Sequence, residues 1–295
     1  MIMPSYKISA QEYIWNNIYS LDGAQFIYAK DNNYILISKK DGKSSVAIKS
    51  NNVWNITLKD IPEVRSIFEY NGAIYMLSSK DSNRAIYKST DEGNTWSNIL
   101  GTEILLPNNI GNNNVESIVI SDEAIYINVN KQGIYVTYDK GQNWTNINNG
   151  LPIKNQTDFL SRNIWNIDGE LYASTKDKNG LYKYHKDEGV WKPVKDLNGL
   201  PSGDAREVRD FVILNTTIYI GTNNGVWTTS ALGDDPWVQV NGISGDIRKL
   251  LVLNGDLYAI SKSAKQIYQL KNLNFEPLYN NIDSTLGDFL TFVIL

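Results

Sequence analysis

The sequence predicts an all-β fold, a β-propeller of four-stranded antiparallel blades. We expect seven blades with the last shared between the termini, or six as the alternative. The first observation is a repeat in which aromatic anchors recur every 38–48 residues, at Trp15, Trp54, Trp96, Trp144, Trp191, Trp237 and Phe275. Such a period is typical of a four-stranded blade. The second observation is that the intervening segments are short, rich in Ile, Val, Tyr and Trp, and separated by Asn and Gly, which indicates strands and tight turns.

Four types of strand recur in order within each repeat. The first type lies at 67–70, 118–120, 164–167, 211–214 and 250–253. The second type begins near residues 74, 125, 171, 218 and 257, and the third near residues 86, 134, 181, 226 and 267. The fourth type holds the anchor. Residues 26–57 form a more degenerate first copy, and no segment shows a convincing amphipathic helical pattern.

The two ends of the chain carry incomplete copies of the repeat. Residues 287–295 match residues 245–253, so they are predicted to form a strand of the first type. Residues 5–9 and 13–15 resemble strands of the third and fourth types. Pairing these ends would close the ring and remove an exposed sheet edge. The whole chain, 1–295, is therefore predicted to form one propeller domain.

The composition excludes several classes of function. The 295 residues carry 28 Lys and Arg against 32 Asp and Glu, a net charge of −4, with no Cys and one His, His185. Disulfides, Cys-ligated metals and multi-His zinc sites are excluded. We expect no metal and no cofactor. The mild acidity predicts no nucleic-acid partner, and no apolar run is long enough to predict membrane insertion. No secretion signal is recognised at the start of the chain, so composition leaves the compartment unknown.

A turn motif occurs between the third and fourth strands of three repeats, at 89–96, 137–144 and 186–191, the last with one residue fewer between its Asp and its Trp. Its shared positions are Asp91, Gly93 and Trp96, then Asp139, Gly141 and Trp144, then Asp187, Gly189 and Trp191. An Asp side chain accepts hydrogen bonds from nearby backbone N–H groups, and Gly permits a positive φ. We therefore expect the Asp residues to hold hairpins and the Trp residues to pack between blades.

This motif resembles the Asp-box, or bacterial neuraminidase repeat, of a propeller superfamily. That superfamily includes sialidases, xyloglucan-active glucanases, sortilin-type receptor domains and photosystem assembly factors. The resemblance implies the propeller fold and favours an extracytoplasmic or secreted location, but fold alone does not give function. The Arg-Ile-Pro motif of sialidases is missing, and the chain has six Arg. A glycoside hydrolase would need two suitably spaced carboxylates, for which the candidates are Asp158, Asp204 and Glu207.

Arginine occupies the same position, at the start of the first strand, in four repeats. These residues are Arg65, Arg162, Arg209 and Arg248, and the equivalent positions elsewhere hold Gln25, Glu116 and Leu290. First strands line the channel of a propeller, so the four Arg are predicted to ring one mouth, opposite the Asp-boxes. Trp165 is predicted to approach the channel beside Arg162. The ring is interpreted either as an anion-binding site or as salt bridges between blades.

The sequence therefore favours a non-catalytic binding or scaffolding propeller that recognises a protein or an anionic glycan at the Arg-lined face. We expect a monomer, or a part of a larger chain or assembly. A glycoside hydrolase, sialidase-like or otherwise exo-acting, with a divergent active site is the alternative. A purely structural role within a larger secreted protein is the third hypothesis. An Arg cluster with a nearby Tyr and two carboxylates would favour the hydrolase.

Overall fold

The strands of the protein assemble into six sheets of a β-propeller. The computed structural model describes residues 24–277 apart from 31–32, 51–52, 155–157, 178, 196–198, 202, 232–234, 254 and 265, and also describes residues 291–294. The first three blades comprise β1 (Ala24–Lys30), β2 (Asn33–Lys40), β3 (Lys43–Ser50), β4 (Val53–Ile61); β5 (Val64–Tyr70), β6 (Ala73–Lys80), β7 (Asn83–Ser89), β8 (Ser97–Asn98); β9 (Val115–Ile120), β10 (Ile125–Val129), β11 (Gly133–Thr137), β12 (Thr145–Asn146).

A short hairpin separates these blades from the next three. It consists of β13 (Ile153–Lys154) and β14 (Asp158–Phe159). The later blades comprise β15 (Ser161–Ile167), β16 (Glu170–Thr175), β17 (Leu181–His185), β18 (Val190–Pro193); β19 (Val208–Leu214), β20 (Thr217–Thr222), β21 (Gly225–Ser230), β22 (Val238–Gln239); β23 (Ile247–Leu253), β24 (Asp256–Ser261), β25 (Gln266–Lys271), β26 (Asn274–Pro277). One further strand is β27 (Thr291–Ile294).

Each of the six sheets is an antiparallel meander in sequence order, with its first strand on the inside. This confirms the predicted propeller of four-stranded blades, and the degenerate first copy forms a full blade of its own. The described residues contain no α-helix. They contain two single turns of 3₁₀-helix, at Asn108–Ile110 and Asp204–Arg206.

The structure describes one strand of the predicted closing blade, β27, and the pairing of this strand differs from the prediction. β27 forms within the predicted first-type strand, but it pairs in parallel with β1 as a fifth strand of the first sheet, and it also contacts β23. A parallel pair is expected here, because the innermost strands of successive blades all run from the same face of the ring. The predicted outer strands at 5–9 and 13–15 lie outside the described residues. A seventh blade therefore stays a prediction.

The hydrophobic core is divided into layers between neighbouring blades. For example, Leu77 and Ile86 of the second blade pack with Ile127 and Val129 of the third. Equivalent layers join the first blade to the second, the third to the fourth, the fourth to the fifth and the fifth to the sixth. Burial of apolar area between blades is thus the main term that holds the ring together.

Two anchor indoles connect their blades to the preceding ones. Trp191 is almost fully buried, and its Nε1 donates a hydrogen bond of 2.6 Å to the carbonyl oxygen of Ile147. In the same way Trp144 Nε1 donates to the carbonyl oxygen of Leu105 at 3.0 Å. A buried indole N–H needs a partner, and here the partner comes from the neighbouring blade.

A glycine after the fourth strand packs directly against the backbone of the next blade. The Trp191 N–H donates to the carbonyl oxygen of Asn149 at 2.8 Å, and Gly150 follows with a φ of +86°. A Cβ at Gly150 would overlap the carbonyl oxygen of Trp191, and one at Gly242 would overlap that of Phe275. These positions need Gly both for their conformation and for the space.

We predict that Gly150→Ala destabilises the fold more than Gly169→Ala does. Gly169 has a similar φ of +81°, but a Cβ there meets no atom within 4 Å. Both variants carry the cost of a left-handed conformation, about 1–2 kcal/mol. Only Gly150→Ala adds overpacking against backbone, about 1–3 kcal/mol more. Denaturant unfolding of both variants measures this difference, and equal losses would contradict the assignment of the contact between blades.

Candidate functional site

A β-bulge near the start of each inner strand positions the residues of the channel mouth. The register of β5 against β6 shifts between Val64 and Ser66, which leaves Arg65 as the extra residue. The same shift occurs around Arg209 in β19 and around Arg248 in β23. In the other inner strands it includes Arg162, Glu116 and Gln25. Bulges turn side chains away from the regular alternation of a strand. The backbone thus presents every aligned position in the same way.

Arg65 lies between two carboxylates at this mouth. Its Nε donates a hydrogen bond of 2.9 Å to the carbonyl oxygen of Ser79. Its NH1 lies 3.7 Å from carboxylate oxygens of both Glu63 and Glu116. Glu63 also pairs with Lys39 at 2.9 Å. The guanidinium of Arg65 is therefore oriented by backbone and shared between acids of two adjacent blades.

Glu207 bridges two further arginines. Its Oε1 lies 2.5 Å from Arg162 NH1 and 3.0 Å from Arg209 NH1. Its Oε2 accepts a hydrogen bond of 2.8 Å from Asn223 Nδ2, and the Oδ1 of that amide accepts one of 2.7 Å from Arg209 Nε. The three charged side chains are 12–27% exposed. This closed network joins the fourth and fifth blades.

The last arginine of the mouth continues the alternation of charges. Arg248 NH2 lies 2.6 Å from Asp246 Oδ2, and Asp246 Oδ1 lies 3.8 Å from Arg209 Nε. Glu63, Glu207 and Asp246 each stand two residues before an arginine. We name the set Arg65, Arg162, Arg209 and Arg248 with Glu63, Glu116, Glu207 and Asp246 the mouth ring.

Lys176 adds a cation to the mouth ring. It follows β16, and its Nζ donates a hydrogen bond of 2.7 Å to Asn130 Oδ1. Burial lowers the pKa of Lys176, while nearby Glu116 opposes that shift and Arg162 adds to it. The burial of Lys176 against the neighbouring blade has no local signal in the sequence.

The channel behind the mouth ring is narrow and polar near the arginines. Its described part has a volume of about 400 Å³ and is lined by inner strands. Buried Asp210 pairs there with Lys249 at 3.0 Å and accepts the Leu250 N–H at 2.9 Å. Trp165 also lines the channel, with its ring 5.1 Å from Phe211 in an edge-on contact. No tyrosine lines the channel in the part of the chain that the structure describes.

The carboxylates suggested for a hydrolase occupy different environments. Glu207 is held in the mouth ring by two guanidinium groups. Asp158 lies in β14, where its carboxylate is 3.9 Å from Lys131 Nζ. Asp204 lies in a 3₁₀ turn, and its side chain lies outside the description. Of these three acids, the structure therefore brings Glu207 to the channel mouth.

Two Asp-boxes on the opposite face are closed by their Asp side chains. Asp91 accepts hydrogen bonds from the hydroxyl and the N–H of Thr95, which lower the pKa of Asp91. Asp139 likewise accepts from the N–H and side chain of Asn143. The backbone bond from Asn143 is the largest cause that lowers the pKa of Asp139 to about 2. In both boxes the Gly N–H bonds the hydroxyl that precedes the Asp.

The shorter box at 186–191 differs from the expectation. His185 and Val190 pair directly, so only four residues remain in the turn. The N–H of Gly189 donates to the carbonyl oxygen of His185 at 2.9 Å, which closes the turn through backbone. Asp187 makes no side-chain hydrogen bond to any residue that the structure describes, because the contracted turn leaves no loop for it to bridge.

We predict that the contribution of Asp139 to stability depends on pH and that Asp187 contributes none. The pKa of Asp139 is lowered in the folded state, so its ionised form stabilises the fold above its ordinary pKa of 3.8, and this stabilisation is lost as the pH falls toward about 2. Asp139→Ala should lower the Tm at pH 7, with a difference from wild type that shrinks between pH 4 and pH 2. Asp187→Ala is the control. A difference for Asp139→Ala that is constant with pH would contradict this role.

Two negative findings apply to the described ranges. None of their residues forms a helix of the length and apolar character needed to span a bilayer. Nor do they bring together three or more His, Cys, Asp or Glu residues in an arrangement suited to a metal ion.

The sequence matches a propeller family, and the structure resembles propellers with different roles. The profile of the DUF6242 beta propeller domain matches residues 9–166, more than half of the chain, so the chain belongs to this family. A comparison with curated protein sequences gives no match. Together with the structural likenesses below, the family match confirms the predicted resemblance to Asp-box-type propellers.

Three solved structures illustrate the different roles of these similar propellers. YCF48 bound to D1 peptide is 14% identical with a TM-score of 0.57, over 90% of this chain and 84% of that one. A chain of a nidogen/laminin complex is 13% identical with a TM-score of 0.58, over 89% and 97%. The GH74 xyloglucanase from Xanthomonas campestris is 13% identical with a TM-score of 0.61, over 88% of this chain and 45% of that enzyme. At these identities the likeness establishes the fold, and the protein spans under half of the enzyme.

Proposed function

We propose that this propeller is a non-catalytic binding module that recognises carboxylate groups of a protein segment or an anionic glycan at the mouth ring. The observation that carries the proposal is the convergence of four bulged arginines on one channel mouth. Guanidinium groups bind carboxylates through paired, charge-assisted hydrogen bonds. Trp165 offers an aromatic surface in the channel behind them, where part of a ligand can pack.

The acids of the mouth ring set the conditions for binding. Every arginine there already has a carboxylate partner within 4 Å. A ligand carboxylate must therefore replace the carboxylate of an internal ion pair. The free energy of binding is then only the difference between the new ion pair and the one that it replaces. A single charge gains little in such an exchange, so the geometry favours ligands with several carboxylates. Electrostatic attraction of this kind weakens with salt.

The environment of Glu207 supports binding over hydrolysis. A catalytic carboxyl group of a glycoside hydrolase must be able to donate a proton to the substrate or attack it. The carboxylate of Glu207 is instead occupied by Arg162, Arg209 and Asn223. The channel lining also lacks a tyrosine among the described residues, which is the further group that the sialidase-like alternative needs. A peptide-bound propeller of the same fold, YCF48, supports a protein segment as one form of the ligand.

We predict that the double variant Arg162→Ala/Arg209→Ala binds anionic ligands at least about tenfold more weakly, or about 1.4 kcal/mol. A glycan array and a panel of Glu-rich peptides, each read for retained protein and for released sugar, provide the ligands. Lys186→Ala/Lys192→Ala, which removes two cations paired with Glu123 and Glu188 beside an Asp-box, controls for net charge and should bind normally.

Two outcomes would overturn the proposal. Unchanged ligand affinity with a lowered Tm in the double variant would assign the arginines to salt bridges between blades alone. Release of sugar by the wild-type protein would favour the glycoside hydrolase and direct attention to Glu207 and Asp158.

A further inference from the structure

Both carboxylate oxygens of Glu207 are contacted by groups that typically bind a carboxylate. One of its oxygens contacts guanidinium groups of Arg162 and Arg209 at 2.5 and 3.0 Å, and the other accepts the Asn223 amide at 2.8 Å. These donors come from β15, from β19 and from the turn after β20. Two cations and one neutral donor on a single carboxylate is the arrangement expected for a bound carboxylate ligand.

The other acids of the mouth ring are held differently. Glu63 contacts Arg65 at 3.7 Å and is paired more closely with Lys39 at 2.9 Å. Asp246 contacts Arg248 at 2.6 Å but lies 3.8 Å from Arg209. Among the described residues, Glu207 is therefore the acid of this ring that bridges two guanidinium groups within 3.0 Å.

The position of Glu207 is not fixed by the inner strand. It follows the 3₁₀ turn Asp204–Arg206 and precedes β19, which begins at Val208. By contrast, Arg162 and Arg209 lie in bulges of inner strands, and Arg209 is also oriented by Asn223. The two arginines and the Asn223 amide thus form a site that is positioned by strands and a turn. The Glu207 carboxylate that occupies this site comes from a connecting segment.

We propose that Arg162, Arg209 and Asn223 form a carboxylate-binding site that the side chain of Glu207 occupies in this structure, and that a ligand carboxylate binds by displacing it. This inference rests on the proposed function and names its central contact. The Glu207 side chain is 20% exposed, so rotation about its own bonds carries the carboxylate to water. The displaced acid and the entering one have the same charge, so the two guanidinium groups are never left unpaired.

An internal competitor lowers the apparent affinity of the site. A tethered group occupies a site at an effective concentration that reaches the millimolar range for short flexible tethers, and a fixed side chain competes at least as strongly. Removal of the Glu207 carboxylate therefore strengthens binding of an external carboxylate. The expected gain is about tenfold or more, provided that Arg162 and Arg209 are present.

The experiment compares Glu207→Ala and the isosteric Glu207→Gln with Glu63→Ala. All three variants make the mouth more positive by one charge, but only the first two remove the carboxylate that occupies the proposed site. The probes are fluorescein-labelled hexaglutamate and a labelled oligogalacturonate, titrated by fluorescence anisotropy at low salt. We expect both Glu207 variants to bind at least about tenfold more tightly than wild type, and Glu63→Ala to gain about twofold or less. Adding Arg162→Ala to Glu207→Gln should abolish the gain.

The outcomes separate this inference from the proposed function. Equal gains in the Glu63 and Glu207 variants would show a general effect of charge and overturn the displaced-acid site. Wild-type binding that is weakened by Arg162→Ala/Arg209→Ala but is not strengthened by either Glu207 variant would also overturn it, while the proposed function stands. Failure of every variant to bind either probe would overturn both. A gain with one probe only would support the site and identify peptide or glycan as the source of the carboxylate.

Discussion

Four guanidinium groups lie at one end of the channel. Their mutual repulsion is the constraint on which the arrangement of the other mouth residues depends. Like charges at such distances would destabilise the ring if they stood alone. The carboxylates of Glu63, Glu116, Glu207 and Asp246 lie between them. Glu63, Glu207 and Asp246 come from segments that precede an inner strand, and Glu116 comes from inner strand β9 itself. The alternation of charge therefore also links neighbouring blades. Under the proposed function, the same groups that stabilise the ring also determine which ligand binds there.

The two faces of the propeller carry different kinds of polar contact. On one face, Asp91 and Asp139 close hairpins with local hydrogen bonds, and their low pKa values keep them ionised near neutral pH. On the other face, the mouth ring joins different blades over long stretches of sequence. Between the faces, the anchors Trp144 and Trp191 donate to backbone of the preceding blade. The hydrogen bonds of these hairpins and anchors involve no residue of the mouth ring.

Much of this architecture is predictable from the sequence because it repeats. The aromatic period locates the blades, and the shared position of Arg65, Arg162, Arg209 and Arg248 at the start of first-type strands places them together. The bulge that presents them has no signal of its own. The pairing of Glu207 with Arg162 joins residues of different blades, so only the folded ring reveals it, although an acid two residues before Arg65, Arg209 and Arg248 was a visible hint. Asp187 shows the reverse case, since its motif is present but the shortened turn removes its bonding role.

The central claim is that ligand carboxylates meet the arginines of the mouth ring. The most direct measurement is the response of the arginine Nε–H resonances in NMR spectra as hexaglutamate is added. The account predicts that the signals of Arg162 and Arg209 shift in a saturable way, while the indole signals of Trp144 and Trp191 on the Asp-box side do not. Shifts confined to the indoles, with the arginine signals unchanged at saturation, would contradict it.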